Sequence, residues 1–316
     1  MVPEQRALDP RHLELLRALD EHGSVTEVAR LTHRTPSAVS QQLRQAAREL
    51  GHALVEPAGR GLRLTPAGRL LAAGGRDVAR AIARVQADWE GHLGEPVGEI
   101  TLSGLPSALT HLLPDALREL ADTHPGIVLR THDVDLAEHE FAGLTSEVDI
   151  VIAHSLVSAR PAGTEGLTVV PLAREPIDVA VADAHPLAGR TSLHPTDVVD
   201  WQWVGVPIGY PFNSVLTSIE HVTGRDLDVV QRIRDNRLIE AIVASSDQLA
   251  LLPRYTTPRN AGITLIPLTG VATRRWVVAV MRPDTAERVA VRRVLDALKR
   301  TDEGRASPEA GTPPSR

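Results

Sequence analysis

Apolar positions in the first third of the chain recur at steps of three and four, the period of helices that bury one side. Asp9-Pro10, Thr35-Pro36 and Thr65-Pro66 each put a capping side chain before a proline, the usual opening of a helix. Gly23 then Ser24-Val25-Thr26-Glu27 reads as a turn and a capping box. A first helix is predicted from Pro10 to about Glu21 with Leu13, Leu16 and Leu19 inward. A second runs from Val25 to about Leu31 and a third from Pro36 to Leu50. On the third, Val39, Leu43, Ala46, Ala47 and Leu50 share one side, and Ser37, Ser40, Gln41, Arg44 and Arg48 fall on the other. A short hairpin follows: Ala53 to Pro57, the turn Ala58-Gly59-Arg60-Gly61, then Leu62-Arg63-Leu64. Beyond Thr65 a longer helix carries Val78, Ile82, Val85 and Trp89 at alternating steps of four and three, a short coiled-coil seam. The stripe implies a partner helix unless it packs on its own body. Gly74 and Gly75 weaken that helix by about 1 kcal/mol each relative to alanine.

Past a hinge at Gly91, Gly94, Pro96 and Gly98 the pattern changes to strands alternating with helices. Strands are expected at Glu99 to Ser103, Ile127 to His132, Val148 to Ala153, Leu167 to Leu172, Ile177 to Ala182, Trp203 to Pro207, Leu249 to Pro253, Ile263 to Pro267 and Trp276 to Met281. A helix from about Ser107 to Thr123 and a closing helix from Thr285 to Lys299 complete the reading. Near-continuous apolar strands between helices mark a buried, mostly parallel sheet, and two doubly wound lobes fit best.

With 316 residues, 42% of them hydrophobic, the chain can form two or three domains. No apolar run reaches the roughly 18 residues of a membrane span, and no secretory leader is visible, so a cytoplasmic location is expected. Cysteine is absent, which removes disulfides, thiolate metal sites and thiol nucleophiles. The net charge of -6 speaks against nucleic acid only until its distribution is read. From Arg30 to Arg76 stand eight arginines (Arg30, Arg34, Arg44, Arg48, Arg60, Arg63, Arg69, Arg76) against Glu49 and Glu56, a local balance of +6. Such an island is either a solvated surface or a phosphate-facing one, and the surrounding motif decides. Short residues opening the third helix permit close approach to a major groove, Gln41 reaches base edges, and an arginine at a hairpin tip suits a minor groove or phosphates.

These residues resemble the LysR-type transcriptional regulators, closely from Leu8 to Thr65. The likeness is carried by Thr35-Pro36-Ser37-Ala38-Val39-Ser40-Gln41-Gln42-Leu43 and by Gly59-Arg60-Gly61-Leu62-Arg63-Leu64-Thr65-Pro66-Ala67-Gly68. Two departures occur: Thr32 stands where that family usually has a buried leucine, as if exchanged with Leu31, and Ala46 replaces a common leucine. The resemblance implies a multidomain chain: a winged helix-turn-helix head (8–65), a connector helix and hinge (66–94) and an α/β, two-lobed, periplasmic-binding-protein-like effector domain (95–300). It places lobe one at 98–170 with 267–300 and lobe two at 171–266, the chain crossing near Pro171 and returning near Pro267. In the body the match rests on short stretches such as Val148-Asp149-Ile150-Val151-Ile152, Ala184-His185-Pro186-Leu187 and Leu249-Ala250-Leu251-Leu252-Pro253. Residues 301–316, with three prolines, two glycines and no apolar period, read as a disordered tail.

The DNA-facing candidates are Ser24, Thr26, Arg34, Thr35, Pro36, Ser37, Ala38, Ser40, Gln41, Gln42, Arg44, Arg60 and Arg63. Gln41 and Ser37 are assigned to base reading, and Arg44, Arg60 and Arg63 to phosphate or groove. Val78, Ile82, Val85 and Trp89 are assigned to dimerisation. The partners expected are double-stranded DNA carrying an inverted repeat, a small-molecule effector, a second copy in a homodimer or tetramer, and RNA polymerase, with no membrane and no cofactor.

Ligands of open α/β sheets bind beyond the carboxyl ends of strands, where helix starts offer free N–H groups to an anion. That rule nominates Gly104, Pro106, Ser107, Thr131, His132, His154, Ser155 and Ser158 from lobe one. From lobe two it nominates Gly209, Tyr210, Phe212, Asn213 and Ser245, with Ser246 and Asp247 beside the last. Each serine is equally readable as a simple helix cap. An organic anion is the expected effector. The competing reading, an enzyme or a ligand-binding protein on the same scaffold, finds no phosphate loop, nucleophile elbow, zinc helix or dinucleotide fingerprint. His132, Asp133, Asp135, Glu138, His139 and Glu140 mix metal-ligand types, but their spacing matches no known site and no metal is expected.

Overall fold

The computed structural model describes residues 8–59, 61–134, 136–258 and 262–306. Two compact units divide the chain, one running to Gly94 and joined by Pro283–Val289, the other holding Glu95–Arg282 and the residues from Ala290 on.

The first unit opens with α1 (Pro10–His22), α2 (Val25–Leu31) and α3 (Pro36–Leu50). The Asp9 carboxylate accepts from Arg11 N at 2.9 Å, Ser24 Oγ from Glu27 N at 3.4 Å and Thr35 Oγ1 from Ala38 N at 3.2 Å. Each such cap contributes about 1 kcal/mol. The capping box at Ser24 is only half realised: the Glu27 carboxylate turns away to an ion pair with Arg30 at 2.5 Å, a partner on its own helix face. Leu16, Val28, Val39 and Ala46 are fully buried, and Leu19 and Leu43 nearly so, which locks the apolar side of α3 against α1 and α2. The family departures are accommodated locally. Thr32 Oγ1 donates to Val28 O at 2.7 Å, Leu31 stands 39% exposed, and Ala46 fills its place with no accessible surface.

The hairpin consists of β1 (Val55–Ala58) and β2 (Gly61–Leu64), antiparallel with Ala58 opposite Gly61. Its first strand begins at Val55, later than the expected Ala53, and Arg60 lies outside the described residues. Next, α4 (Pro66–Leu93) runs unbroken through Gly74 and Gly75. Gly75 has a packing reason: a Cβ there would lie 2.5 Å from the Leu13 carbonyl oxygen, so its absence lets α4 press on α1.

In the second unit β3 (Gly98–Gly104), α5 (Pro106–Thr123), β4 (Ile127–Asp133) and β5 (Ile150–Ser155) form lobe one, with a 3₁₀ segment at Glu138–Ser146. The chain continues through β6 (Thr168–Ala182), α6 (Pro195–Val198), β7 (Gln202–Gly205), α7 (Pro211–Thr223), β8 (Asp228–Arg232), α8 (Asn236–Ala244), β9 (Leu249–Pro253) and β10 (Ile263–Ile266). It returns as β11 (Arg274–Met281) and ends in α9 (Val289–Ala306). The strands lie in the order β4-β3-β5-β11-β6-β9-β7-β8, with β10 on β6. β3, β4 and β5 are parallel, as are β7, β8 and β9, while β11 and β6 run antiparallel to their neighbours, so the sheet is mixed.

Four boundaries differ from the sequence expectation. The two strands expected at Leu167 to Leu172 and Ile177 to Ala182 are one: pairing with β11 runs on from Pro171 opposite Val278 to Ala173 opposite Val277, with Leu172 bulged between them. The crossing between lobes therefore falls at Pro176/Ile177, where β6 stops pairing with β11 and takes up β9 and β10. The return falls after Thr273, whose carbonyl accepts from Ile177 N at 2.6 Å, rather than near Pro267. At the end of the chain, Thr285–Glu287 forms only a 3₁₀ turn, and α9 runs six residues into the stretch read as a tail; residues 307–316 lie outside the described residues.

Candidate functional site

The first site to assemble is the solvent-facing side of α3. Ser24, Thr26, Arg34, Thr35, Pro36, Ser37, Ala38, Gln41 and Arg44 are exposed, whereas Ser40 and Gln42 are half-buried. Thr35 Oγ1 also lies 3.0 Å from Ser37 Oγ, and Gln42 Oε1 accepts from Arg34 Nη1 at 2.6 Å, which fixes the entry to the helix and commits Gln42 internally. Gln41 and Arg44 project from a backbone held rigid by the burial of Val39 and Leu43. The basic island is weaker than its count. Arg30 is paired with Glu27, Arg76 with Asp20 at 2.7 Å and Arg63 with Glu56 at 2.7 Å, while Arg69 donates to Leu64 O. Arg44 has no ion-pair partner among the described residues. On α4, Ile82, Val85 and Trp89 are 53%, 69% and 60% exposed and Val78 is half-buried, so the stripe is not covered by its own unit along most of its length.

The second site is a cleft of about 450 Å³ within the second unit. Three helix starts face it: Leu105 to Thr110 of α5, Tyr210 to Phe212 of α7, and Asp235 to Glu240 of α8. Leu105 and Tyr210 provide no side-chain cap, which leaves the first amides of α5 and α7 without a side-chain acceptor; Asp235 caps α8. Apolar walls come from Leu105, Pro106, Val206, Pro211 and Phe212, and Arg234 lies over the Tyr210 ring at 5.4 Å. Glu240, 3.1 Å from Arg237, is pushed above the ordinary glutamate range by burial.

Arg275 lies at the floor with no accessible surface. Strand register sets Glu175 of β6 directly opposite it on β11, and Glu175 Oε2 accepts from Arg275 Nη2 at 2.5 Å and Nε at 2.9 Å. The other carboxylate oxygen accepts from Tyr255 N at 3.0 Å. Arg275 Nη1 points to lobe one, donating to Ser107 Oγ at 3.0 Å and to His154 Nδ1 at 3.3 Å. Burial, then the charge of Arg275, holds His154 well below the usual histidine range. A second buried carboxylate, Asp178, takes both Nε and Nη2 of Arg254, at 2.5 and 2.7 Å. Glu175 and Asp178 thus flank the crossing at Pro176/Ile177, each tied across the sheet.

Of the expected effector residues, Pro106, Ser107, His154, Tyr210 and Phe212 line the cleft. Gly104 does not: a Cβ there would lie 2.6 Å from Ile152 Cβ, so its smallness serves packing. Thr131 and His132 sit on β4 outside the lining. Ser155 Oγ accepts from Val157 N and Ser158 Oγ from Arg160 N, both as turn caps. Gly209 occupies a left-handed turn, Asn213 Oδ1 accepts from Arg232 at 2.7 Å, and Ser245 closes α8 through Ala241 O. Asp133 lines the cleft, and Glu140 is engaged by Ala137 N; Asp135 lies outside the described residues. The sequence reading missed Glu175, Arg275 and the Arg234–Glu240 segment. The signal available was an acid or arginine interrupting an apolar strand, as at Asp178 within Ile177–Val181 and Arg275 before Trp276–Met281.

A family model described as LysR substrate binding domain matches residues 93–303, and one described as bacterial regulatory helix-turn-helix protein, lysR family, matches residues 10–69. The chain belongs to the LysR family. LysR-type regulators are DNA-binding transcription regulators with an effector-binding domain and act as oligomers. Relatives include the DNA-binding transcriptional dual regulator OxyR of Escherichia coli K12, 25% identical over 298 residues that cover 93% of this chain and 96% of the relative. A hydrogen peroxide-inducible genes activator of Pectobacterium carotovorum is also 25% identical, covering 93% and 97%. Among solved structures, a full-length OxyR cysteine-to-aspartate variant from Pseudomonas aeruginosa superposes with a TM-score of 0.63 at 17% identity, covering 93% of this chain and 95% of that one. Full-length CbnR complexed with its target DNA gives 0.51 at 18%, covering 92% and 100%. No described helix is long and apolar enough to cross a membrane.

Proposed function

We propose that this LysR-family chain acts in the cytoplasm as a homodimer or tetramer whose paired heads read an inverted repeat and whose cleft binds a small organic anion, with no catalytic step. The observation that carries the reading is α3: a rigid helix whose apolar side is locked in the head core while Ser37, Gln41 and Arg44 stand exposed on the other. Val78, Ile82, Val85 and Trp89 supply the seam that pairs two connector helices and sets the spacing of the heads. Ligand closure of the cleft alters how the oligomer presents those heads to DNA and to RNA polymerase.

Two uncapped helix starts and the apolar walls of the cleft support an effector with an anionic end and a hydrocarbon body. The relatives named for hydrogen peroxide do not transfer their signal, because this sequence contains no cysteine and so no thiol to oxidise. The effector is bound rather than reacted.

The test is Gln41→Ala assayed against operator and scrambled duplexes. Operator preference should fall by about 1–3 kcal/mol, the worth of one bidentate base contact, while binding to scrambled DNA is unchanged. Equal loss on both duplexes would remove Gln41 from base reading.

A further inference from the structure

We infer that Arg275 is a positioning residue that fixes His154 and Ser107 as a pair of hydrogen-bond donors on the cleft floor, so that this floor engages an effector through an oxygen acceptor and not through a cationic group. The inference rests on the reading that this cleft takes the effector.

The geometry begins with a donor that has no acceptor capacity. Every nitrogen of a guanidinium donates, so the contact of Arg275 Nη1 with His154 Nδ1 at 3.3 Å requires that Nδ1 present its lone pair. A neutral imidazole then carries its one proton on Nε2. The same Nη1 donates to Ser107 Oγ at 3.0 Å, which leaves the hydroxyl hydrogen of Ser107 to be given elsewhere. Both side chains line the cleft. His154 is held between Phe141 and Phe212, edge-on to each at 5.8 and 6.0 Å, so its ring has little freedom to flip and exchange its nitrogens.

Charge bookkeeping explains why the pair acts without a net positive field. Glu175 neutralises Arg275 through two hydrogen bonds, both groups being almost wholly buried. Of this buried group, what is left to donate among the lining residues is the Ser107 hydroxyl and the His154 imidazole N–H, beside the uncapped first turn of α5. A carboxylate or carbonyl oxygen satisfies both donors, whereas an ammonium has no lone pair to offer the imidazole N–H and finds its acceptors at other groups of the lining, the carboxylates of Asp133, Asp235 and Glu240. The low proton affinity of His154 keeps this arrangement across the physiological range.

The experiment uses full-length protein with isotope-labelled histidine, its proton–nitrogen correlation spectra recorded from about pH 8 to about pH 5.5. His154→Gln identifies the signal. An unprotonated Nδ1 and a protonated Nε2 throughout the range are expected, with the Nε2–H resonance moved by isovalerate and not by isoamylamine, a cation of similar hydrocarbon body. Arg275→Gln alone strands a buried carboxylate, so the comparison variant is Glu175→Gln/Arg275→Gln, which removes both charges together. In it, the single tautomer and the isovalerate response should both be lost. A protonated Nδ1 or an imidazolium in the unmodified protein overturns the inference, and this outcome needs no variant to fold. So does a response to the amine, a response to neither compound, or a folded double variant with unchanged spectra. Duplex retention is followed on the same samples; its absence beside the expected His154 spectrum counts against the regulator reading and not against the donor pair.

Discussion

On α3 the arginine that matters is exposed and, among the described residues, has no ion-pair partner: Arg44 stands on a helix face with no carboxylate of those residues against it. In the body, Arg275 has no accessible surface and gives two hydrogen bonds to Glu175. The first arrangement leaves charge available to a polyanion, whose phosphates release counterions when a cation replaces them. The second takes the charge out of play and retains only the directionality of the guanidinium. A surface pair such as Arg63–Glu56, with the arginine 68% exposed, falls between these limits and contributes little to stability. The same residue type therefore serves attraction in one region and alignment in the other.

The largest expected effect breaks the buried case. Arg275→Gln should destabilise the second unit by about 3–5 kcal/mol, because it leaves Glu175 charged and unpaired in the interior. Adding Glu175→Gln should recover most of that loss, since the cost lies in the orphaned charge and not in the missing attraction. Denaturant unfolding of the two variants measures the difference. Equal stabilities would mean that Glu175 is solvated or protonated when alone. On α3, Arg44→Ala should leave stability unchanged.

Acid sharpens the comparison with a smaller effect. His154 is held below its usual value of 6.5 and neutral, so the unfolded chain takes up the proton first as pH falls. Its contribution is fully present above pH 6.5 and is lost as pH falls below that value. His185, also lowered by burial, acts in the same direction. In the head, Asp9 is lowered from 3.8 to about 2 by its bonds to Arg11; its contribution is present above 3.8 and lost only as pH falls toward about 2. Hydrogen exchange at stepped pH should therefore show the body loosening before the start of α1, and His154→Gln should flatten the body's response. Simultaneous loosening of both regions would contradict this order.

The two regions also differ in how much of each was legible in the sequence. α1, α2 and α3 announce themselves through Asp9, Ser24 and Thr35 because a cap and an apolar period are local signals. In the body the strands were largely visible, but Ala173-Arg174-Glu175-Pro176 read as a gap between two strands where β6 runs straight through, bulged at Leu172. β8, with only Val229 and Val230 apolar, carried too weak an alternation to register. The cleft floor was half legible. Ser107 and His154 follow from the rule that ligands sit beyond strand ends, whereas Glu175 and Arg275 are 100 positions apart and meet only through the register of β6 and β11. A charge inside an apolar strand signals that some partner exists and leaves its identity to the fold.

The central claim, that α3 meets duplex DNA through its polar side, is tested most directly by the salt dependence of retention of the duplex upstream of the protein's own gene. The account predicts that the logarithm of affinity falls linearly with the logarithm of salt, and that Arg44→Ala lowers that slope by about 0.9, the share of one phosphate. Failure to retain this or any other double-stranded fragment in a salt-sensitive way, or a slope that Arg44→Ala leaves unchanged, would contradict it.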